Sequence, residues 1–229
     1  MELSKRLQAV ASMVSKGNKV ADIGTDHSYI PIYLVEEGSC PSVIAMDINE
    51  GPLERAKAHI TEHHLGNYIE ARRSNGLQAL LPGEVETVIV AGMGGALIMD
   101  IMETGKAVAK EVREFILQPQ SEVEKVRRFL QSNQYQIIEE NIIEEDGKYY
   151  PMMKVIHGED TTYDLVEFRY GKCLLESKHP VLLQYLKREE RIKQQILDRI
   201  ASCGNRRTKE REQKVQEELQ YIQKALERF

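Results

Sequence analysis

The sequence predicts an α/β protein with a parallel sheet, followed by a helical hairpin. Short β-rich runs alternate with segments of helical period up to about residue 159, and a long, polar, helical pattern replaces them from about residue 160. With 229 residues, 41% of them hydrophobic and 29% charged, the chain has room for one full α/β domain and a smaller appendage. We therefore expect two domains, residues 1–159 and 160–229.

Five apolar runs are expected to form the parallel strands. They read KVADIG, SVIAMDI, NYIEARR, ETVIVAGM and REFILQPQ, with stretches of helical period between them. Two further β-rich runs flank Asp146-Gly147, which is a hairpin signal. Gly38 marks the end of the first crossover helix, and Ser121 with Glu124 predicts a capping box at the start of a later one.

The C-terminal segment is expected to form an antiparallel coiled-coil hairpin. Its helical pattern breaks only at Gly204-Asn205. After the break, apolar residues repeat with a 4-3-4-3 spacing, at Val215, Leu219, Ile222, Leu226 and Phe229. A stripe of this kind is typical of helix packing rather than of a ligand site.

Charge is divided unevenly along the chain. Residues 160–229 hold 15 lysines and arginines against 12 acids, a net +3, whereas residues 1–159 hold 16 against 24, a net −8. A basic tail on an acidic body indicates either a polyanionic partner or an ordinary solvated helical surface. The charge alone does not decide between them.

Several classes of protein are disfavoured by composition. The three cysteines, Cys40, Cys173 and Cys203, are far apart and give neither a disulfide framework nor a metal-binding pair. No apolar run approaches membrane length, and the N-terminal segment has the charge pattern of an amphipathic helix rather than of a signal peptide. We expect a cytoplasmic monomer without a metal.

Polar residues follow the strands that should meet at one sheet edge. The first strand leads into Asp22, Gly24 and the tripeptide Thr25-Asp26-His27, the second ends at Asp47, and the third leads to Asn75. In a doubly wound sheet, ligands bind outside the carboxyl ends of the strands. A carboxylate at the end of the second strand suits two ribose hydroxyls, so Asp47 is the expected ribose ligand.

The first turn distinguishes between two classes of cofactor that share a ribose. A dinucleotide needs bare backbone amides for its pyrophosphate, which is why its turn is rich in glycine. Here one glycine stands between Asp22 and Asp26, and these carboxylates would repel a pyrophosphate. They suit the ammonium and sulfonium groups of S-adenosylmethionine, so an NAD-dependent reductase is disfavoured.

Together, the motifs DIGTDHSYIP, MDIN, SNGL, AGMGG and LQPQ, followed by a helical tail, resemble the bacterial TrmK family. The resemblance covers essentially the whole chain. It implies a class I, Rossmann-like methyltransferase fold, S-adenosylmethionine as cofactor, and methylation of N1 of the adenine at position 22 of tRNA.

Carried over motif by motif, the resemblance implies a set of site residues. The cofactor site comprises Asp22, Gly24, Asp47, Ile48, Asn75 and Gly76, together with the turn residues Thr25 and His27. The catalytic candidates are Asp26 and the loop residues Gly92, Met93 and Gly94. Since methylation at N1 gives a cationic product, a carboxylate near the N1/N6 edge would stabilise the transition state, and Asp26 is the first candidate.

Each of these candidates has a simpler alternative. Asp26 is equally suited to cap the following helix, and His27 to be an ordinary turn histidine. The glycine loop either lets a base approach the methyl group or only lets the next helix approach the sheet. Tyr29 is placed either to pack under the cofactor or to stack on the adenine.

The candidate tRNA contacts are basic. They are Lys5, Arg6, Arg206, Arg207 and Lys209, with Arg72, Arg73, Lys125, Arg127 and Arg128 as weaker candidates that are singly expected to be solvated. The alternatives to a tRNA methyltransferase are a methyltransferase of another substrate on the same cofactor site, and a cofactor-binding RNA module without catalysis. Methyl transfer to tRNA would separate the three.

Overall fold

A computed structural model describes residues 1–159, 162–203 and 209–229 of the chain, without the side chains of residues 202 and 203. The chain divides into two compact units, Met1–Thr161 and Thr162–Phe229. Predicted contacts at Arg206 and Arg207, and the predicted helix break at Gly204-Asn205, lie outside the described residues.

The first unit contains a mixed, seven-stranded sheet. Its strands are β1 (Val20–Ile23), β2 (Val43–Asp47), β3 (Ile69–Arg73), β4 (Thr87–Gly94), β5 (Glu114–Ser121), β6 (Tyr135–Glu145) and β7 (Lys148–His157). They lie in the order β3-β2-β1-β4-β5-β7-β6. Strands β1 to β5 are parallel, and β7 pairs antiparallel with both β5 and β6. The chain order reverses between β1 and β4, where a doubly wound sheet binds its ligands.

Six helices accompany the sheet. They are α1 (Lys5–Ser12), α2 (Tyr29–Glu36), α3 (Glu50–Glu62), α4 (Gly95–Thr104), α5 (Lys106–Ala109) and α6 (Val123–Ser132). All four residues of β1 are buried, and the central strands contribute fully buried side chains such as Ile89, Phe115 and Leu117. A parallel sheet with apolar strands buried on both faces is the expected result of such runs.

The predicted capping box at Ser121 is wrong. Strand β5 continues through Ser121, which pairs with Gly94 of β4, and Glu122 takes the N-cap position of α6 without a side-chain cap. The Glu124 carboxylate instead accepts a 2.8 Å hydrogen bond from Arg128, one turn along the helix. Sheet pairing, which spacing along the chain does not reveal, extends the strand here.

Two arginines expected to be solvated are held in ion pairs. Arg127 is buried and lies 2.8 Å from the equally buried Glu140. Arg72 binds both Glu70 and Glu84, each at 2.8 Å. Because these guanidinium groups already have carboxylate partners, they are structural elements of the sheet domain and poor candidates for phosphate contacts.

The second unit is helical throughout the residues that the structure describes. It comprises α7 (Leu165–Tyr170), α8 (Lys172–Glu176), α9 (Pro180–Cys203) and α10 (Lys209–Leu226). Asp164 and Glu167 form a capping box at the start of α7. Lys193 of α9 lies 2.7 Å from Glu218 of α10, so the two long helices pack together. Leu182, Leu186, Val215 and Ile222 are buried, while coiled-coil geometry stays a prediction.

No described helix is both long and apolar enough to cross a membrane.

Candidate cofactor and substrate site

The site is built on the turn that follows β1. Gly24 and Thr25 donate their backbone N–H groups to the carbonyl of Met46, at 2.8 and 2.9 Å, which holds the turn against the end of β2. Gly24 has φ of +77°, and a Cβ there would lie 2.0 Å from Cε of Met93, near the end of β4. A residue with a side chain would be strained and would displace Met93, so only glycine suits this position.

A cavity of about 240 Å³ opens over this turn. It gathers six residues of the predicted site, Asp22, Gly24, Thr25, Asp26, His27 and Tyr29, together with Arg6 of α1. Leu7, Ile30 and Ala91 complete the wall. Asp47 and Asn75 lie outside this cavity, at the ends of the neighbouring strands.

Three buried polar atoms of the turn have no hydrogen-bond partner among the residues that the structure describes. They are Oγ1 of Thr25, Nδ1 of His27 and Oγ of Ser28. Leaving such a group unpaired costs about 1–3 kcal/mol, so an unpartnered cluster at a cavity is evidence for a polar ligand. Ser28, completely buried and in the left-handed region with φ of +55°, was not among the predicted residues. An amino-acid cofactor with several donors and acceptors fits this chemistry.

Asp22 is a buried acid at the base of the cavity. Burial raises the pKa of its carboxyl to about 6, and the negative charge of Asp47 adds to the rise. The nearby Thr25 hydroxyl opposes this pKa shift, although it forms no hydrogen bond of normal geometry. Because burial raises this pKa, a cationic ligand would favour the ionised form of Asp22, which is the role predicted for it in this turn.

Asp26 is exposed on the opposite side of the turn and is paired with α3. Its Oδ1 lies 2.9 Å from Nε and 2.8 Å from Nη2 of Arg55, and 3.4 Å from Nε2 of His27. The N-cap of α2 is Ser28, with no side-chain cap, so Asp26 does not cap the helix in this structure. Among the described residues, no hydrogen bond or ion pair reaches its second oxygen.

Three rings form a cluster at the mouth of the cavity. Tyr29 is stacked on His27, with the ring centroids 5.2 Å apart and the planes 6° apart. His59 of α3 is tilted against both rings, and its Nδ1 lies 3.1 Å from the His27 carbonyl. The Tyr29 side chain is 37% exposed, so one face of the cluster is open to an aromatic ligand. Neither Arg55 nor His59 was predicted, because no motif marks these positions of α3.

The end of β2 carries the second part of the predicted cofactor site. Oδ1 of Asp47 accepts a 2.7 Å hydrogen bond from the backbone of Asn49, which fixes the carboxylate. Ile48 is 50% exposed, an apolar surface beside the carboxylate. Ser74 donates its N–H to the Asp47 carbonyl at 2.9 Å, so Asn75 and Gly76 follow directly beside this strand end. The end of β2 thus carries a fixed carboxylate, Asp47, next to the exposed apolar side chain of Ile48.

The predicted glycine loop after the fourth strand is part of the strand: Gly92, Met93 and Gly94 are the last residues of β4, where its pairing with β5 shifts register, and α4 begins at Gly95. Gly92 has φ of +77°, and a Cβ at Gly95 would lie 2.6 Å from the Ser121 carbonyl. Gly95 is therefore required for the approach of α4 to β5, as one of the two interpretations predicted. A Cβ at Gly94 would be 3.3 Å from Oγ of Ser121, a much milder contact. That Gly92, Met93 and Gly94 admit a base to the methyl group stays a prediction.

The predicted basic contacts are found in different environments. Lys5 is exposed at the start of α1, and Lys209 is exposed at the start of α10. Arg6 is half-buried and lines the cavity. Within the described parts of the chain, no group of three or more His, Cys, Asp or Glu side chains is arranged to hold a metal ion.

Comparison with known proteins agrees with this architecture. Residues 3–153 match the model of the Methyltransferase domain family. The chain is 35% identical, over 95% of its length and 92% of the relative's, to the tRNA (adenine(22)-N(1))-methyltransferase of Bacillus subtilis (strain 168). The family match and the alignment with this relative both include the unit that carries the cavity.

Solved structures extend the likeness to the whole chain. A putative tRNA (m1A22) methyltransferase of Streptococcus pneumoniae, solved in complex with S-adenosyl-L-methionine, superposes with a TM-score of 0.88 at 35% identity, over 98% of this chain and 100% of that one. TrmK of M. capricolum, in complex with S-adenosyl-homocysteine, gives a TM-score of 0.85 at 26% identity, over 100% and 99% of the two chains. This chain therefore belongs to the TrmK family of tRNA (adenine(22)-N(1))-methyltransferases, with the class I methyltransferase fold.

Proposed function

We propose that this protein transfers a methyl group from S-adenosylmethionine to N1 of the adenine at position 22 of tRNA. The observation that carries the proposal is the turn after β1, where one glycine stands between two carboxylates and three buried polar groups lack a protein partner. Such a turn suits an amino-acid cofactor with cationic groups and disfavours a pyrophosphate. The family relationship supports tRNA as the substrate.

The cofactor would be held at two strand ends. Asp47 would accept from the ribose hydroxyls through the oxygen that Asn49 does not use, and the exposed Ile48 would cover one face of the adenine ring. Asn75 and Gly76 would border the same nucleoside. At the β1 turn, the carboxylate of Asp22 would receive the ammonium group, and Gly24, Thr25 and His27 would line the amino-acid end. When bound, this cofactor supplies an electrophilic methyl group.

The last residues of β4 and the turn after β1 would align the target base. Adenine N1 attacks with its own lone pair, forming the N–C bond, while the electron pair of the broken S–C bond stays on sulfur, so no general base is needed for the attack. The backbone of Gly92, Met93 and Gly94 would let the ring come close. Asp26 would accept from the exocyclic amine through its free oxygen and stabilise the positive charge that develops on the base.

Tyr29 would stack on the extruded base. Its ring is already parallel to His27 and partly exposed, which gives a rigid aromatic platform at the mouth of the cavity. A base stacked within folded RNA must swing out to reach such a platform, as in other base-modifying enzymes.

RNA binding would depend on basic residues away from the cavity. The sheet domain, residues 1–159, is acidic, while residues 160–229 carry a net charge of +3. Lys5 and Lys209 are exposed and would contact phosphates, which position the RNA without reading its sequence. Helices α9 and α10 would form a coiled-coil RNA-binding arm, and a cytoplasmic monomer would suffice for the reaction.

Incubation of the full chain with bulk tRNA and methyl-labelled S-adenosylmethionine tests the proposal. After digestion to nucleosides, mass spectrometry should find the label in 1-methyladenosine. Ribosomal RNA of matched concentration is the control and should stay unlabelled. Label in a different nucleoside would assign another target atom, and tight cofactor binding without any labelled RNA would favour a non-catalytic module.

A further inference from the structure

Gln120 is an exposed residue at the carboxyl end of β5, in the sequence motif LQPQ. The two residues before it, Gln118 and Pro119, are buried. Within the described part of the chain, the side-chain amide of Gln120 makes no hydrogen bond. Both its donor and its acceptor are therefore open to a ligand at the sheet edge where a doubly wound sheet binds its ligands.

An irregularity in the pairing of β4 with β5 places Gln120 beside the glycine-rich end of β4. Two register shifts occur there, and the register between these strands skips Gly92 of β4 and Gln120 of β5. Nε2 of Gln120 lies 3.6 Å from the position that a Cβ of Gly92 would take. Bulges next to active sites often re-aim a side chain. Here the amide of Gln120 lies over a residue that has no side chain of its own.

This position is at the edge of the cavity over the β1 turn. Nη1 of Arg6, which lines the cavity, lies 3.5 Å from the same Cβ position of Gly92. Ala91, the residue before Gly92, is also part of the wall. The amide of Gln120 thus borders the cavity from the side of β4 and β5, whereas Asp26 belongs to the turn after β1. A base that approaches over the end of β4 would meet this amide.

We propose that Gln120 binds the N6/N7 edge of the target adenine and so contributes to the choice of base. This inference rests on the proposed function. Because N1 must face the methyl group, the edge left for recognition carries the N7 acceptor and one hydrogen of the exocyclic amine. A carboxamide matches this edge with two hydrogen bonds, one from its N–H to N7 and one from the amine to its carbonyl oxygen. The second amine hydrogen remains for Asp26, so the two side chains do not compete.

A contact with the RNA backbone is the other role open to an exposed glutamine, since amide side chains also bind phosphates. The position of Gln120 favours the base, because its amide lies over Gly92, at the strand end where methyl transfer is proposed. The two roles differ in one measurable respect. Only the contact with the base depends on N7 of the adenine.

A substrate that lacks N7 tests the inference on the full chain. Two versions of one tRNA, joined from synthetic halves, carry adenine or 7-deazaadenine at position 22, and kcat/KM for methylation is measured with each. The ratio of the two values, the preference for adenine, should be about 10-fold or more higher in the unmodified protein than in Gln120→Met, which loses the amide. Comparing this ratio between proteins cancels any effect of the missing nitrogen on the reactivity of N1. Gln8→Met makes the same change at an exposed residue of α1 outside the cavity wall and should keep the original ratio.

A second variant changes the donor alone. Gln120→Glu keeps an acceptor for the amine, but its carboxylate would repel the lone pair of N7, so the preference for adenine should disappear or reverse. Affinity for S-adenosylhomocysteine should be unchanged in both variants, which also shows that they are folded.

The inference is overturned if Gln120→Met has the same preference as the unmodified protein, or if the preference survives in Gln120→Glu. Equal losses of kcat/KM with both transcripts would assign Gln120 to the RNA backbone instead. If the unmodified protein methylates neither transcript, the proposed function fails, and this inference fails with it.

Discussion

Asp26 and Arg55 form an ion pair at the mouth of the cavity, with Oδ1 of the acid 2.9 Å from Nε and 2.8 Å from Nη2 of the arginine. Within the described part of the chain, the second carboxylate oxygen has no hydrogen bond or ion pair. The N-cap of α2 is Ser28, without a side-chain cap, so Asp26 does not cap this helix. The carboxylate is therefore held in one orientation by a residue of α3 and presents its other oxygen to a ligand.

The charge of Asp26 should matter for turnover. Asp26→Asn keeps the shape and one acceptor oxygen but removes the negative charge that would stabilise the cationic base. We expect single-turnover methylation at saturating tRNA and cofactor to fall about 10²-fold, or ~2.7 kcal/mol, as when one preorganised transition-state partner is lost. Cofactor affinity and the melting temperature should change little. A fully folded Asp26→Asn protein with native turnover would remove Asp26 from catalysis.

Cofactor binding should depend on pH through Asp22. Its carboxyl, with a pKa of about 6 in the folded protein, keeps its proton below that pH and loses it above. Because an ammonium group binds the ionised form, affinity for S-adenosylhomocysteine should rise by about tenfold per unit up to pH 6 and level off above it. Titration calorimetry between pH 5 and 8 measures this.

The free energy of unfolding should change with pH in the opposite direction to the cofactor affinity, again through Asp22. A carboxyl whose pKa is raised from 3.8 to about 6 by folding costs stability as the pH rises through that interval, and Asp22→Asn should abolish this dependence in the unliganded protein. His27→Gln changes another side chain of the same cavity and leaves Asp22 in place, so it is the control. A pH dependence that persists unchanged in Asp22→Asn would contradict its assignment to Asp22.

Substitutions of Gly94 and Gly95, where β4 ends and α4 begins, should separate the effect of these glycines on stability from their effect on catalysis. Gly95→Ala should destabilise the fold by about 1–3 kcal/mol, because its Cβ would lie 2.6 Å from the Ser121 carbonyl. Gly94→Ala meets only a hydroxyl at 3.3 Å and has an ordinary φ of −65°, so it should fold normally. If the open backbone admits the base, Gly94→Ala should nevertheless lower turnover. Chemical denaturation measures the loss of stability, and single-turnover kinetics measures the loss of catalysis. Native turnover in Gly94→Ala would mean that these glycines serve packing alone.

Much of this site was accessible from sequence, because the carboxyl ends of parallel strands share one edge. That rule brings the turn after β1 beside Asp47, and the backbone bonds from Gly24 and Thr25 to Met46 confirm the neighbourhood of these strand ends. The partners of the site residues were not accessible. Arg55 and His59 reach Asp26 and His27 only through the way α3 packs, which no local motif specifies.

The sequence-based predictions that were wrong also failed because of tertiary contacts. The spacing of Ser121 and Glu124 matched a capping box, but pairing with β4 keeps Ser121 in the sheet. Arg127 reads as a surface residue of a polar helix, yet its buried partner Glu140 lies on β6. Arg6 was grouped with Lys5 by charge, while the fold turns only Arg6 into the cavity.

The helical unit should contribute to RNA affinity and not to cofactor affinity. A protein truncated after residue 159 should still bind S-adenosylhomocysteine but bind tRNA more weakly, and binding by the full chain should fall steeply with salt through counterion release. In the full chain, replacing the exposed Lys209 and Lys214 of α10 with glutamine should reduce the salt dependence without exposing apolar surface. A soluble truncated protein that methylates tRNA with undiminished efficiency would make the unit a structural element.

Position-resolved mass spectrometry of methylated tRNA tests the central claim most directly. Two transcripts of one tRNA, with adenine or guanine at position 22 and otherwise identical, are incubated with the full chain and S-adenosylmethionine and then cut with a base-specific ribonuclease. We expect the fragment that contains position 22 to gain a single methyl group at N1 in the adenine transcript, and no fragment of the guanine transcript to gain one. Methylation of both transcripts, or of a fragment without position 22, would contradict the account.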